Sequence, residues 1–543
     1  MVFARRSTTL LAAIIASCAM VLSLTACTSD NKTVVDGQTT VTSNSAGGVA
    51  VFTPSDGITL NQQVPLNKWA KLVPDLAKAL ADAGFKKGDI NHTTSDSLDK
   101  QSRAIQDFVV DHLSNNTTDD SGIAIAPDNM TLLVAPVVEA DASTRQYGDY
   151  VSQNLSTNDV TDEGATSDGE SSEDDSSKDD SSNTESDSTA SDEQAQAVDR
   201  LVSSLKLAKE SGMHVVLLGN SIEGYKPDAF VKFSDAQTIG KLQAEKMVSK
   251  LKLDKASKDN PKYIEVLLPY TAVDEKGNAN DSTFAQEAFR GIWQVLGSYY
   301  QKGVVESPSG TLDGKSTEND WQAVAYDAAK EGSTAKVLDK RLAKTDGQST
   351  LTRIDGIITM NDYIASEVVK ELDDLGYTGS AADINPQITI SGIVGNITGK
   401  KDLSRDAVPD PIKSPENDNA NDSSSSDDDA DEDTSASDKD RDSQWPLVTG
   451  YGAYVSNIPS IVNGKQWMTG MEDRQTIATD IAQACAKLNK DEALNSMPSI
   501  RNSEVGGVKK IPTISEPLLA VSASNLKSAL IDPGYISLAD AGL

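Results

Sequence analysis

The stretch Phe230–Leu251, FVKFSDAQTIGKLQAEKMVSKL, decides how the rest of the chain reads. Phe230, Val231 and Phe233 carry the period of a short, half-buried strand. Ser234 or Asp235 then caps a helix whose apolar residues Ile239, Leu242, Met247 and Leu251 fall at helical spacing. Just upstream, SGMHVVLLGNSI (Ser211–Ile222) holds another apolar strand. Strand, cap and amphipathic helix form one α/β unit, and the same unit recurs on both sides of it.

Towards the N-terminus, Val49–Phe52 reads as a strand, followed by a helix in NKWAKLVPDLAKALADAGF. There Trp69, Leu72, Val73, Leu76, Leu80 and Phe85 keep a helical period and Gly84 marks the stop. DINHTTSD, LLVAPVV (Leu132–Val138) and MHVVLLGN read as strands, with helices in KQSRAIQDFVVDHL and QAVDRLVSSLKLAKESG. Towards the C-terminus, strands are expected at KYIEVLLPY, Gly356–Met360, QITISGIVG and PLVTGYG. Helices are expected at Ala285–Leu296, Trp321–Lys330, Tyr363–Leu375 and RQTIATDIAQACAKL. Strands alternating with helices predict parallel sheets covered on both faces. Two runs of such units predict an α/β protein of two Rossmann-like lobes.

The first residues set the expected compartment. Arg5 and Arg6 precede an apolar run from Leu10 to Leu24, the pattern of a secretory signal over residues 1–26. Leu24-Thr25-Ala26-Cys27 resembles a bacterial lipobox, which implies a diacylated Cys27 as membrane anchor and a polar tether over residues 27–47. No other run approaches the roughly 20 apolar residues of a spanning helix. Of the three cysteines, Cys18 lies in the signal and Cys27 is the anchor. Cys485 therefore has no partner for a disulfide and is expected as a small buried hydrophobe.

The net charge of −33 is concentrated in two places. Residues 158–193 carry −13 and residues 414–443 carry −10, leaving −10 for everything else. Both tracts are rich in Ser, Asp and Glu and nearly devoid of apolar residues, so they are expected as disordered surface insertions. Neither has the spacing of a calcium-binding loop.

With the tracts set aside, a collinear series of short motifs resembles the xylose- and multiple-sugar-binding lipoproteins of bacterial ABC importers, a branch of the type I periplasmic binding proteins. FSDAQTIGKLQA is similar to that family's F-D-N-x-x-x-G-x-L-Q-A, where the chain first passes from one lobe to the other. Asn67-Lys68-Trp69 stands at the family's Arg-Trp, and Asp96 to Gln101 at its D-x-x-x-x-Q. Asn361-Asp362 stands at its Asn-Asp or Tyr-Asp, and VTGYGAYVSNIPSIVNGKQWMTGMEDRQTIA at its V-S-G-Q-D segment, with EPLLAVSASNLKSALIDPGYI at its close. The resemblance implies two lobes joined by a multi-strand hinge and a solute held between them. The first lobe would span residues 48–228 and take back about 466–500. The second would span 229–465, with 501–543 packing across the hinge.

Sugars are held by aromatic faces and by charged or amide hydrogen-bonding groups, and ligands collect at the carboxyl ends of strands. Lys68, Trp69, Asn220, Asp281, Trp321, Asn361, Asp362 and Tyr451 are the candidates at such ends. Taken singly, Trp69 and Trp321 also suit a core, and Asn220 and Asp362 suit caps. Several charged groups of the family are replaced. Lys68 stands for Arg, Gly219-Asn220-Ser221 for Tyr-Asp-Arg, and Tyr451-Gly452 for Gln-Asp, with Asn280-Asp281-Ser282 at the Asp-Asn-Asn stretch.

Other classes fit less well. The three histidines, His92, His112 and His214, show no metal-ligand spacing, and neither a nucleophile elbow, a Walker loop nor a dinucleotide fingerprint is present. A pI of 4.4 without a basic stripe speaks against nucleic acid. The sequence is thus read as a non-enzymatic, lipid-anchored, extracytoplasmic solute-binding protein. It is expected to be a monomer that needs no cofactor and hands a monosaccharide or related small polar solute to a membrane permease. The alternative is a surface lipoprotein with a degenerate cleft that serves as a sensor or a protein-interaction module.

Overall fold

A computed structural model describes residues 46–55, 65–115, 125–138, 144, 146–151, 153–156, 185–273, 280–343, 351–382 and 443–543. In chain order the first run of elements is β1 (Gly48–Pro54), α1 (Trp69–Asp82), β2 (Ile90–Ser95), α2 (Leu98–Asn115), β3 (Met130–Val134), β4 (Asn154–Leu155), α3 (Glu185–Glu210), β5 (His214–Leu218), β6 (Ser221–Ile222) and β7 (Ala229–Lys232). The second run is α4 (Ala236–Leu251), β8 (Lys262–Val266), β9 (Leu268–Pro269), α5 (Thr283–Gln301), β10 (Val305–Glu306), α6 (Trp321–Val324), β11 (Ala325–Tyr326), α7 (Ser333–Arg341), β12 (Gly356–Ile358), α8 (Asp362–Leu375), β13 (Leu447–Tyr451), α9 (Ile458–Val462) and β14 (Met468–Met471). The chain closes with α10 (Arg474–Leu488), β15 (Ile500–Val505), β16 (Val508–Ser515) and β17 (Leu519–Ser522).

While β4 pairs with β6 and β9 with β11 in two-stranded ladders, the other strands build two separate large sheets, as two runs of βα units require. One has the order β15-β16-β7-β5-β3-β1-β2, parallel except for the β15–β16 hairpin. The other has the order β10-β8-β12-β13-β14-β17, parallel except for β17. Alternation sends successive residues to opposite cores, which is why the strands are apolar throughout. Val49, Val51, Leu133, Val216 and Leu218 pack under α1 and α10. Ala50, Phe52, Leu132, Val134, Val215 and Leu217 pack under α2 and α3. In the second lobe Ile264, Val266 and Ile358 meet α4 and α5, while Ile357 and Val448 meet α7 and α8.

The described chain passes between the sheets three times: after β7, after β14, and between β16 and β17. Two of these passages lead into a capped helix. Asp235 accepts a hydrogen bond from Thr238 N at 2.7 Å at the start of α4, and Asp473 accepts one from Thr476 N at 3.2 Å at the start of α10. The two-lobed α/β fold with a multi-strand hinge read from the sequence is therefore the observed one.

Details differ from the sequence reading. Ala229, Phe230 and Val231 are all buried, because β7 lies inside the sheet between β5 and β16 with helices on both faces. The helix expected over Trp321–Lys330 ends at Val324, because Ala325 and Tyr326 extend to pair with Leu268 and Pro269. Residues 185–193, read as the end of the first acidic tract, form the opening of α3, continuous with its amphipathic half. Met468–Met471 pairs with β13, so the return to the first lobe falls later than residue 466. The expected strand QITISGIVG, the signal, tether and Cys27, and residues 158–184 and 414–442 lie outside the described residues. Cys485 is fully buried within the first lobe's core, where burial pushes its thiol pKa up.

Candidate functional site

The carboxyl ends of the strands of the two sheets meet each other. From the first lobe come the loop after β1 (Leu66 to Lys68), the segment Gln146–Val151 that follows β3, Asn220 after β5 and Ser234 after β7. From the second come Asn361 after β12, Gly452–Tyr454 after β13 and Glu472 after β14. A backbone hydrogen bond from Leu66 N to Gly452 O, 2.9 Å, joins the two sides directly.

The eight sequence candidates take up different roles there. Lys68, at the N-cap of α1, donates through Nζ to Asp149 at 2.7 Å, with both side chains largely covered. Trp69 is 3% exposed and sits edge-on to Tyr150 and Phe233, at 5.1 and 5.7 Å between ring centres; it belongs to the core in this arrangement. Asn220 donates to Pro136 O at 2.9 Å and accepts from Gln153 N at 3.0 Å, holding the ends of two loops together. Asn361 caps α8 by accepting from Ile364 N at 2.9 Å, while its amide nitrogen donates to Gln146 Oε1 at 3.1 Å. Tyr451 is fully buried with its hydroxyl 2.5 Å from Ser234 Oγ. Asp281 lies exposed ahead of α5 and is occupied by Thr283, accepting from its N at 2.9 Å and its hydroxyl at 2.7 Å. Trp321 packs edge-on to Tyr270 at 5.2 Å. Asn361 and Tyr451 thus meet groups contributed across the junction, Lys68 meets Asp149 of its own lobe, and Asp281 and Trp321 meet Thr283 and Tyr270 of theirs.

Asp362 is the most enclosed of the eight. Its Oδ2 accepts from Tyr454 N at 2.9 Å and Thr469 Oγ1 at 2.8 Å, and its Oδ1 accepts from Gln466 Nε2 at 2.7 Å. Burial pushes its pKa up to about 6, and these donors pull in the other direction. Gly450 is required beneath it: a Cβ there would lie 2.2 Å from Asp362 Oδ1. Asp362 therefore ties β13, β14 and the start of α8 into one block, and no face of its carboxylate is open to a solute.

Sequence reasoning missed several residues that shape the junction. Glu472 lies on the second passage between lobes, where its Oε1 accepts from Ser234 N at 2.6 Å and from the Tyr451 hydroxyl at 3.5 Å. Its own backbone N donates to Asn67 Oδ1 at 3.3 Å. Burial pushes the Glu472 pKa up to about 7, against the pull of the Ser234 donors. Tyr147 is 1% exposed, with its ring 4.7 Å from Phe284 and 6.3 Å from Tyr451 between centres. Tyr454 donates its hydroxyl to Gln146 O at 2.7 Å. In the sequence this segment is the aromatic–polar run QYGDY (Gln146–Tyr150), which carries neither a strand nor a helix period.

Among the described residues no cluster of His, Cys, Asp and Glu could hold a metal ion, and no helix is long and apolar enough to cross a membrane. No protein-family model and no curated protein matches the chain. Solved structures do. One is an ABC transporter solute-binding protein from Clostridium phytofermentans with bound β-D-glucose, at 17% identity over 91% of this chain and 99% of that one, TM-score 0.43. Another is a carbohydrate transporter solute-binding protein from Chloroflexus aurantiacus in complex with D-glucose, at 17% identity over 92% and 98%, TM-score 0.43. A third is a sugar ABC transporter protein from Actinomyces odontolyticus, at 10% identity over 89% and 97%, TM-score 0.41.

Proposed function

We propose that this chain is the solute-binding protein of an ABC importer, capturing a monosaccharide or related small polar solute between its lobes and passing it to a membrane permease. One observation carries the reading: two parallel α/β lobes, linked by three passages, meet at the carboxyl ends of their strands. A ligand placed there touches both lobes only when they are closed, so it shifts the open–closed population. In this reading Lys68, Asn220, Asn361 and Tyr451 offer the hydrogen-bonding groups, with Trp69, Asp281 and Trp321 as the wider candidate set and Asp362 as the buried tie that positions Asn361 and the loop after β13. Cys27 carries the lipid anchor on the extracytoplasmic face, residues 27–45 are the tether, and the acidic stretches 158–184 and 414–442 are solvated, disordered insertions on a monomer. The first lobe takes residues 48 to about 232 and about 474–515, the second takes about 236–471, and residues 516–543 run from the first lobe across the hinge to β17 and beyond.

The test is thermal unfolding of the full chain in detergent against monosaccharides, polyols, nucleosides and amino acids. A ligand that binds only the native state adds about 2.7 kcal/mol at a hundredfold excess over its dissociation constant. A rise with one pentose or hexose is expected; no shift across the panel would sink the importer reading. The second reading, a clamshell that works through protein partners, is favoured by one feature: Lys68 and Asn361 already hold partners from the chain itself.

A further inference from the structure

The segment Gln146–Val151 stands in the place a solute would take. It leaves the carboxyl end of β3 and is gripped from both sides of the junction. On the first-lobe side, Asp149 accepts from Lys68 Nζ at 2.7 Å and from Trp69 N at 3.1 Å, and its own N donates to Asn67 O at 2.8 Å. Tyr150 donates its hydroxyl to Lys68 O at 2.5 Å and stacks on Phe233 at 4.8 Å. On the second-lobe side, Gln146 takes the Asn361 amide and the Tyr454 hydroxyl, and the Tyr147 ring packs against Phe284 and Tyr451. Gly148 sits between these two sets of contacts at φ +100, where a Cβ would lie 2.6 Å from Asn67 O. Its glycine allows the turn and the close approach together.

An enclosed aromatic ring, an amide acceptor and a carboxylate paired with a lysine are the chemistry by which a closed clamshell holds a ring-shaped polar solute. We infer that Gln146–Val151 is a tethered occupant of the cleft: it bridges the lobes in the absence of solute, and a solute enters only by displacing Tyr147 and Gln146. This rests on the clamshell reading above. The solute that replaces the strap must offer a flat or ring face to Phe284 and Tyr451 and a hydrogen-bond acceptor to the Asn361 amide. A competition of this kind lowers apparent affinity by the fraction of molecules whose strap is withdrawn.

Hydrogen exchange of the full chain, free of solute, tests the strap. The Leu66 amide, which donates to Gly452 O across the junction, should be protected in the native chain and in Tyr147→Phe. It should exchange at least tenfold faster in Tyr147→Ala and in Gln146→Ala, while β5 amides in the first-lobe core stay unchanged and so report an intact fold. Rapid exchange of Leu66 in the native chain, or no change in both alanine variants, overturns the strap. The thermal panel is then repeated on Tyr147→Ala. A sugar that binds this variant at least tenfold more tightly than the native chain supports displacement, and equal affinity overturns it. If the alanine variants open but no compound in the panel binds either protein, the bridging role stands while displacement and the importer reading fail.

Discussion

Glu472 shows how much one residue at the hinge can decide. Its carboxyl is enclosed and accepts from Ser234 N and the Tyr451 hydroxyl, its backbone N is held by Asn67, and Asp235 is near enough to add to the upward shift. Burial raises its folded pKa from an ordinary 4.5 to about 7, so the native state holds this proton more tightly than the unfolded chain does. The stabilisation from protonation is complete below pH 4.5 and is lost as pH rises to 7. The swing is about 3 kcal/mol for such a shift. Glu472→Gln keeps the acceptor for Ser234 N and removes the titration. Urea unfolding across pH 4.5 to 7.5 should show the native chain losing stability relative to this variant as pH rises; parallel curves would contradict the assignment. Nothing in the sequence separates Glu472 from a solvated acid next to a helix cap, because its enclosure is made by residues far away in the chain. Asn361 and Asp362 were legible as a strand-end pair, but their division of labour, cap and buried tie, was not.

At the scale of elements, the deciding stretch explains one of its own glycines. Gly240 of α4 and Gly291 of α5 let the two helices touch: a Cβ at Gly240 would lie 2.2 Å from Ala288 O, and one at Gly291 would lie 2.0 Å from Gln237 O. Gly240→Ala should cost about 1–3 kcal/mol by overpacking despite alanine's better helix propensity. Chemical denaturation measures this, and a neutral or stabilising result would contradict the close crossing. Periodicity placed the long helices, and short continuous apolar runs placed most strands, since burial under two helical layers leaves a strand apolar throughout. It failed at α6, where four helical residues turn into a two-residue ladder with β9, a pairing fixed by tertiary contact. It also had no purchase on Gln146–Val151, which has no periodicity and owes its position to both lobes.

For the molecule as a whole, the order of βα units foretold two lobes, and three passages of the described chain between them form a multi-strand hinge. Which cleft groups are available to a solute was not legible, because that depends on what the chain itself places between the lobes. The most direct test is small-angle X-ray scattering of the Tyr147→Ala chain with and without the best sugar from the thermal panel. Closure on solute predicts a smaller radius of gyration with sugar, approaching that of the native chain. An unchanged profile at saturating sugar would contradict capture by lobe closure.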